Sequence, residues 1–326
     1  MSKIQRIGIF TSGGDAPGMN AAVRAVVRAC IYYKLTPVGI YRGYDGMISG
    51  DIKVLDSRSV SNIIQRGGTI LKTARSMEFM TPEGRKKAYD NLREFEVDAL
   101  VAIGGDGTFR GAEVFSNEYG IPVVGLPGTI DNDVNGTDFT IGYDTAVNTA
   151  CAAIDKVRDT ASSHNRLFFI EVMGRDSGMI AMHSSIAAGA EATMIPERPL
   201  DIDGLIKLLE IGAVGKKSSS LVVVAEAGKP GRSMEIAKQV SERFAHYDTK
   251  VTILGHVQRG GSPTVADRVL ASRMGVVAVE SLLEGKSGVM IGIVNNQVKF
   301  TAFDQATKNV NNFENELLRI AAILSV

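Results

Sequence analysis

The chain has 326 residues, 44% hydrophobic and 22% charged, an ordinary globular composition with length enough for two domains. Lys plus Arg and Asp plus Glu balance at 36 each, so no global field draws it to nucleic acid or to an anionic membrane. Its two cysteines, Cys30 and Cys151, exclude a disulfide framework and read as buried free thiols, and no apolar run reaches membrane-spanning length.

The opening MSKIQRIGIF enters a strand at residues 6–11 without a signal-peptide pattern, so the expected compartment is the cytoplasm. TSGGDAPGMN follows at 11–20 and opens an amphipathic helix over 21–34. A strand at 37–41 comes next, then one at 99–103 that ends in IGGDGT and leads into a helix over 109–119. The strand at 122–126 runs into PGTIDND at 127–133, and a helix is expected over 146–161. Further strands fall at 167–172, 220–225, 251–255 and 289–294, and KKSSS at 216–220 reads as a polar turn. This alternation predicts an α/β class with two doubly wound, mostly parallel-sheet domains, whose sites lie at the carboxyl ends of strands.

Three glycine- and aspartate-rich clusters stand at such ends. In TSGGDAPGMN, Gly13 and Gly14 allow close backbone approach, and the helix behind them suits a phosphate, although neither a Walker A nor a G-x-G-x-x-G pattern is present. In IGGDGT, Asp106 suits Mg²⁺, which takes carboxylate and phosphate oxygens, while Gly104, Gly105 and Gly107 leave room for phosphates; the alternative is an Asp capping the next helix. In PGTIDND, one of Asp131 and Asp133 could take a proton from an attacking hydroxyl, and an Asx-rich turn is the competing reading. Arg75, Arg166, Arg175 and Arg259 lie near strand ends or glycine turns, where a planar guanidinium matches phosphate. His256 in GHVQRGG is either a ligand contact or a structural histidine.

TSGGDAPGMN, IGGDGT, PGTIDND, VMGRDSG and GHVQRGGSP, in this order, resemble the bacterial ATP-dependent 6-phosphofructokinases over about residues 7–297. The resemblance implies transfer of the ATP γ-phosphoryl group to the 1-hydroxyl of fructose 6-phosphate. It makes Asp131 the general base, with Thr129, Gly13, Arg75 and Arg175 serving the transfer, and Asp106 the Mg²⁺ ligand. Gly13, Arg75, Ser76, Gly105, Gly107 and Thr108 would line ATP. Thr129, Asp131, Arg166, Met173, Gly174, Arg175, Glu226, Lys250, His256 and Arg259 would hold the sugar phosphate. It further implies a homotetramer, an ATP domain over 1–142 plus 256–304, and a sugar domain over 143–255 plus 305–326. Pyrophosphate-dependent relatives look like GGDD and PKTIDND, so Gly107 and Gly128 favour ATP; a pyrophosphate-dependent enzyme and an inactive nucleotide-binding regulator are the competing functions. More distant lipid and NAD kinases share GGDG but lack PGTIDND with GHVQRGGSP.

The chain departs from the family pattern in places. Lys250 stands where Arg is usual, a residue that would reach the 6-phosphate of a neighbouring subunit's sugar, as would Arg166. Met77 replaces a proline. Arg24, Arg28, Arg158, Glu191, Lys216 and Lys217 match an effector cleft for ADP and phosphoenolpyruvate. Ser57, Val214 and Ser218 replace basic residues or a histidine there, and Asn62 replaces an Asp. Fewer cations bind multiply charged phosphates more weakly, so the expectation is weakened allosteric control.

Overall fold

Residues 99–104 are buried at every position, the mark of a strand covered on both faces. The computed structural model describes residues 4–162, 166–214, 219–307 and 315–324. The first half runs β1 (Arg6–Thr11), α1 (Met19–Tyr32), β2 (Thr36–Ile40), α2 (Gly43–Ser49), β3 (Ile52–Val54), α3 (Pro82–Glu94), β4 (Ala99–Gly104), α4 (Asp106–Tyr119) and β5 (Val123–Pro127). Next come α5 (Tyr143–Ser162), β6 (Arg166–Val172), α6 (Met179–Ala188), β7 (Ala192–Met194), α7 (Ile202–Val214), β8 (Ser219–Ala225), α8 (Arg232–Arg243) and β9 (Asp248–Ile253). The chain closes with α9 (Val265–Leu283), β10 (Val289–Val294), β11 (Gln297–Ala302) and α10 (Asn315–Leu324).

Two compact units emerge. The first comprises Met1–Ile130, Val134–Thr145 and Arg259–Lys308; the second comprises Asp131–Asp133, Ala146–Gln258 and Asn309–Val326. The first holds a seven-stranded sheet ordered β11-β10-β5-β4-β1-β2-β3. Its five inner strands are parallel, and the edge strands β11 and β3 are antiparallel to their neighbours. The second unit holds a four-stranded parallel sheet ordered β7-β8-β6-β9. The doubly wound α/β class is borne out.

In the large sheet the order reverses between β1 and β4: the chain leaves β1 toward β2 but returns on the other side. That reversal opens a crevice at the carboxyl ends of the two strands, where ligands bind in such folds. Beneath it lies an aromatic core that includes Phe10, Phe79, Phe109, Phe115 and Phe303. The second unit is built around Leu167, Phe169, Val222, Val224, Leu205, Leu209 and Val240.

Three local expectations change. The last strand of the small sheet is 248–253 rather than 251–255, because Asp248 and Lys250, two apart on an edge strand, share its exposed face. Ser219 and Ser220 belong to β8 rather than to a polar turn, while 216–218 lie outside the described residues. Cys30 is buried, which pushes its thiol up to about 12 and makes it inert, but Cys151 is only half-buried. No helix among the described residues is long and apolar enough to cross a membrane.

Candidate active site

Within the first unit, TSGGDAPGMN, IGGDGT and the Pro127–Ile130 part of PGTIDND meet at the carboxyl ends of β1, β4 and β5, whereas Asp131–Asp133 fall in the second unit. Ser12 N–H donates to Ile103 O at 2.9 Å, and Gly128 N–H to Gly104 O at 3.0 Å, so the chain continues the ladder past the ends of β1, β4 and β5. Gly104 must lack a side chain: a Cβ there would lie 2.4 Å from Thr108 Oγ1 and 2.5 Å from Ser12 O. Gly13 takes a left-handed φ of 84°, and Gly105 comes up beside Thr129. By contrast, a Cβ on Gly107 meets nothing within 4 Å, and its φ is not left-handed. The fold does not demand glycine at 107, so the empty space above it calls for a reason outside the fold.

Asp106 begins α4 but does not cap it. The N-cap is Gly105, without a side-chain cap bond, so the competing capping reading fails. Asp106 instead lies in the first turn, 15% exposed, and accepts from Arg110 at 2.8 Å. A carboxylate beside a helix N-terminus and three glycines can hold a cation that also carries phosphate oxygens, whose negative charge the helix dipole favours. Among the described residues no group of three or more His, Cys, Asp or Glu could hold a metal ion.

Beyond β5, Thr140 Oγ1 donates to Thr129 O at 2.7 Å and Ile141 N–H to Pro127 O at 2.8 Å. The return of this loop is anchored by Asp267 on α9, which accepts the Gly142 and Thr145 N–H groups at 2.8 Å each and the Thr145 hydroxyl at 2.5 Å. Burial raises the Asp267 carboxyl's pKa above the usual range, against the pull of these three donors. Asp131 and Asp133 are both 6% exposed and flank Asn132, which holds a left-handed φ of 50°.

Arg75 and Ser76 lie on the long connection from β3 to α3, which the side chains of Asn20, Thr11 and Tyr44 fasten to the crevice. The buried Asn20 side chain donates to Arg66 O at 3.0 Å and Gly67 O at 3.1 Å, and accepts from Ile70 N–H at 2.7 Å. Thr11 Oγ1, at the end of β1, donates to Lys72 O at 2.8 Å. Tyr44, buried on α2, stacks on Phe79 with ring centroids 4.0 Å apart and donates to Thr108 O at 2.6 Å. Sequence reasoning passed over Asn20, Tyr44 and Asp267. Asn20 closes a motif already singled out, which was the one available signal.

In the second unit the carboxyl ends of β6 and β8 gather Met173, Gly174, Arg175 and Glu226. Glu226 Oε1 accepts the Arg175 N–H at 2.9 Å, and Gly228 N–H donates to Arg175 O at 2.8 Å. Arg175 is thereby held at a left-handed φ of 55°, and Gly174 before it at 138°. Glu197, also unforeseen, accepts the Gly178 N–H at 2.7 Å where this loop enters α6. His256 is exposed on the 3-10 turn after β9. Arg259 is placed in the first unit instead, donating to Asp15 O at 3.1 Å and covering Gly14. Arg166 and Lys250 stand toward the other end of the small sheet, Arg166 being the first residue of β6 and Met173 following its last. Six residue steps of strand separate Arg166 from Val172, about 20 Å.

The model for phosphofructokinase matches residues 6–282. The chain belongs to the phosphofructokinase family. It is 56% identical to the ATP-dependent 6-phosphofructokinase of Cytophaga hutchinsonii, over 99% of this chain and 98% of that one. It is 54% identical to ATP-dependent 6-phosphofructokinase 2 of Bacteroides thetaiotaomicron over the whole of both. Among solved structures, the phosphofructokinase of Saccharomyces cerevisiae superposes with a TM-score of 0.90 at 36% identity, covering 99% of this chain and 48% of that one.

Of the residues matched to the family's effector cleft, Arg24 and Arg28 lie on α1, and Arg28 donates to Ser57 O at 3.3 Å. Arg158 on α5 donates to the carbonyls of Ala188 and Gly189, where α6 ends. Glu191 Oε2 accepts the Leu221 N–H at 2.6 Å. Asn62 has a left-handed φ of 53°, which Asn and Asp both tolerate, so the backbone does not explain that departure. Lys216 and Lys217 lie outside the described residues.

Proposed function

We propose that this phosphofructokinase transfers the γ-phosphoryl group of ATP to the 1-hydroxyl of fructose 6-phosphate, giving fructose 1,6-bisphosphate and ADP, in the cytoplasm and as a step of glycolysis. The observation that carries the reading is the crevice between β1 and β4, where Gly13, Gly104, Gly105 and Thr108 surround a helix start that bears Asp106. The names of the near-full-length relatives supply the two substrates.

Phosphoryl transfer asks for alignment and charge neutralisation more than for covalent chemistry. Gly13, Gly105, Gly107 and Thr108, with Arg75 and Ser76, line the nucleotide. Asp106 is the residue that would hold Mg²⁺, which when bound neutralises phosphate charge. Asp131 takes the proton of the 1-hydroxyl, with Thr129 beside it, and Asp133 either braces Asp131 or orders water. Arg75 and Arg175 offset charge on the transferring group. Met173, Gly174, Glu226, His256 and Arg259 hold the sugar, and Arg166 and Lys250 its 6-phosphate.

The separation along β6 supports sharing between subunits. About 20 Å of strand between Arg166 and the Met173–Arg175 loop is far more than one hexose phosphate spans. One chain therefore offers its two sets to two sugars, in keeping with a homotetramer. Effector control by ADP and phosphoenolpyruvate is weak in this reading, since Arg158 already serves as a helix cap and Ser57 adds no charge.

Initial rates against fructose 6-phosphate, with MgATP or pyrophosphate as donor and with or without ADP, test these points together. The expected result is ATP-dependent, hyperbolic turnover indifferent to ADP. Turnover with pyrophosphate alone would overturn the donor assignment, and a sigmoidal curve relieved by ADP would overturn the regulatory one. The absence of turnover with either donor would leave a nucleotide-binding regulator.

A further inference from the structure

Strands β6 and β9 run parallel, with Arg166 opposite Asp248 and Phe168 opposite Lys250. Side chains two apart on a strand share a face. Arg166, Asp248 and Lys250 therefore project to one side of the edge of the small sheet. There a single carboxylate serves two cations. Lys250 Nζ donates to Asp248 Oδ1 at 2.8 Å, and Arg166 Nε lies 3.5 Å from Asp248 Oδ2. The side chains are 27% exposed at Arg166, 45% at Lys250 and 55% at Asp248, so the cluster is open to a ligand.

We propose that Asp248 is a built-in counter-ion, occupying Arg166 and Lys250 until the 6-phosphate of the sugar displaces it, and so setting the affinity for the phosphorylated substrate. The inference rests on the reading of Arg166 and Lys250 as phosphate ligands. A phosphate dianion brings more charge and more acceptor oxygens than a carboxylate, so it wins the contest for both cations. Lys250 is a compact charge on a flexible stem and can turn from one acceptor to the other, whereas an Arg fork would hold a carboxylate by two bonds. The displaced carboxylate cannot leave, since it is fixed to the strand between its former partners. It remains within a few ångströms of the bound phosphate and opposes it. The Lys250 ammonium foremost, with Arg166 behind it, holds the Asp248 carboxyl below the usual carboxylate range, so it stays charged at neutral pH. Exposed ion pairs add little to stability, so the carboxylate can be removed without loss of the fold.

Asp248→Asn keeps the shape and removes the charge. The expected result is a Michaelis constant for fructose 6-phosphate lowered about three- to tenfold, the size of one screened like charge at this distance, with kcat and the constant for ATP unchanged. Inorganic phosphate, as a competitive inhibitor against the sugar, should tighten by a similar factor. An unchanged or raised constant for the sugar, in a variant whose thermal midpoint matches the parent, would show that Asp248 is a bystander or a brace, and would overturn the proposal. Lys250→Met, run in parallel, tests the reading beneath it. A raised sugar constant in that variant supports the phosphate site, and no change there removes the site itself, whatever Asp248→Asn does.

Discussion

Asp131→Asn is expected to lower kcat by about 10²–10⁴-fold, the contribution of a positioned general base, while both Michaelis constants stay within a few-fold. The amide has the carboxylate's shape but cannot accept the proton of the sugar hydroxyl. Asp131 is 6% exposed, on a loop whose flanks are fixed by Thr140 and Asp267, so an isosteric change leaves the backbone where it is. Each factor of ten in rate is about 1.4 kcal/mol of barrier, so the loss corresponds to about 3–5 kcal/mol. A steady-state coupled assay decides it. If kcat falls by less than tenfold, the proton is taken by another group, and Asp133 becomes the first candidate.

The second large effect is on the donor. Gly107→Asp should reduce kcat/KM for ATP by about 10–10³-fold, the spread that one added negative charge near 4 Å gives between water-like and partly screened surroundings. The fold should not suffer. A Cβ on residue 107 meets no atom within 4 Å, and the backbone there is open to any side chain. In the proposed function, the carboxylate enters space beside Asp106 that the nucleotide phosphates would need. Thermal unfolding separates the two accounts: a midpoint near that of the parent with lost ATP turnover supports the donor reading. Unchanged turnover would mean that the space above Gly107 is not used by the nucleotide. Gly128 is a poorer place for this test. A side chain there starts 3.1 Å from Ile103 Cγ2 and Met19 Cε, and would disturb packing as well as the donor.

Much of the site was legible because its residues cluster in sequence at strand ends. TSGGDAPGMN, IGGDGT and PGTIDND each follow a buried strand, and parallel pairing of β1, β4 and β5 brings these ends together. What could not be read depends on partners distant in sequence. Asp267 meets Gly142 and Thr145 from 122–125 residues away, and Asn20 meets the 66–70 segment from 46–50 residues away. Nothing local distinguishes Asp267 from an ordinary polar residue on a helix, and Asn20 is marked only by its place at the end of TSGGDAPGMN. Tyr44 and Phe79 would pass for unrelated core residues until the fold stacks them. Short or polar strands were lost for another reason. β3 and β7 have three residues each, too few for a periodic signal. β9 begins with Asp248-Thr249-Lys250, charges that suggest a loop until one sees that only one of its sides is paired.

The length of β6 has a consequence for how activity depends on amount. If the sugar residues stand at opposite ends of one strand, a lone chain carries two half-sites and no whole one. Turnover then becomes a property of associated chains, governed by mass action. Dilution below the association threshold should extinguish sugar phosphorylation, while the nucleotide crevice, built from the first unit of a single chain, goes on binding ATP. Equilibrium nucleotide binding and specific activity, followed over the same dilution series, should part company at the concentration where chains separate.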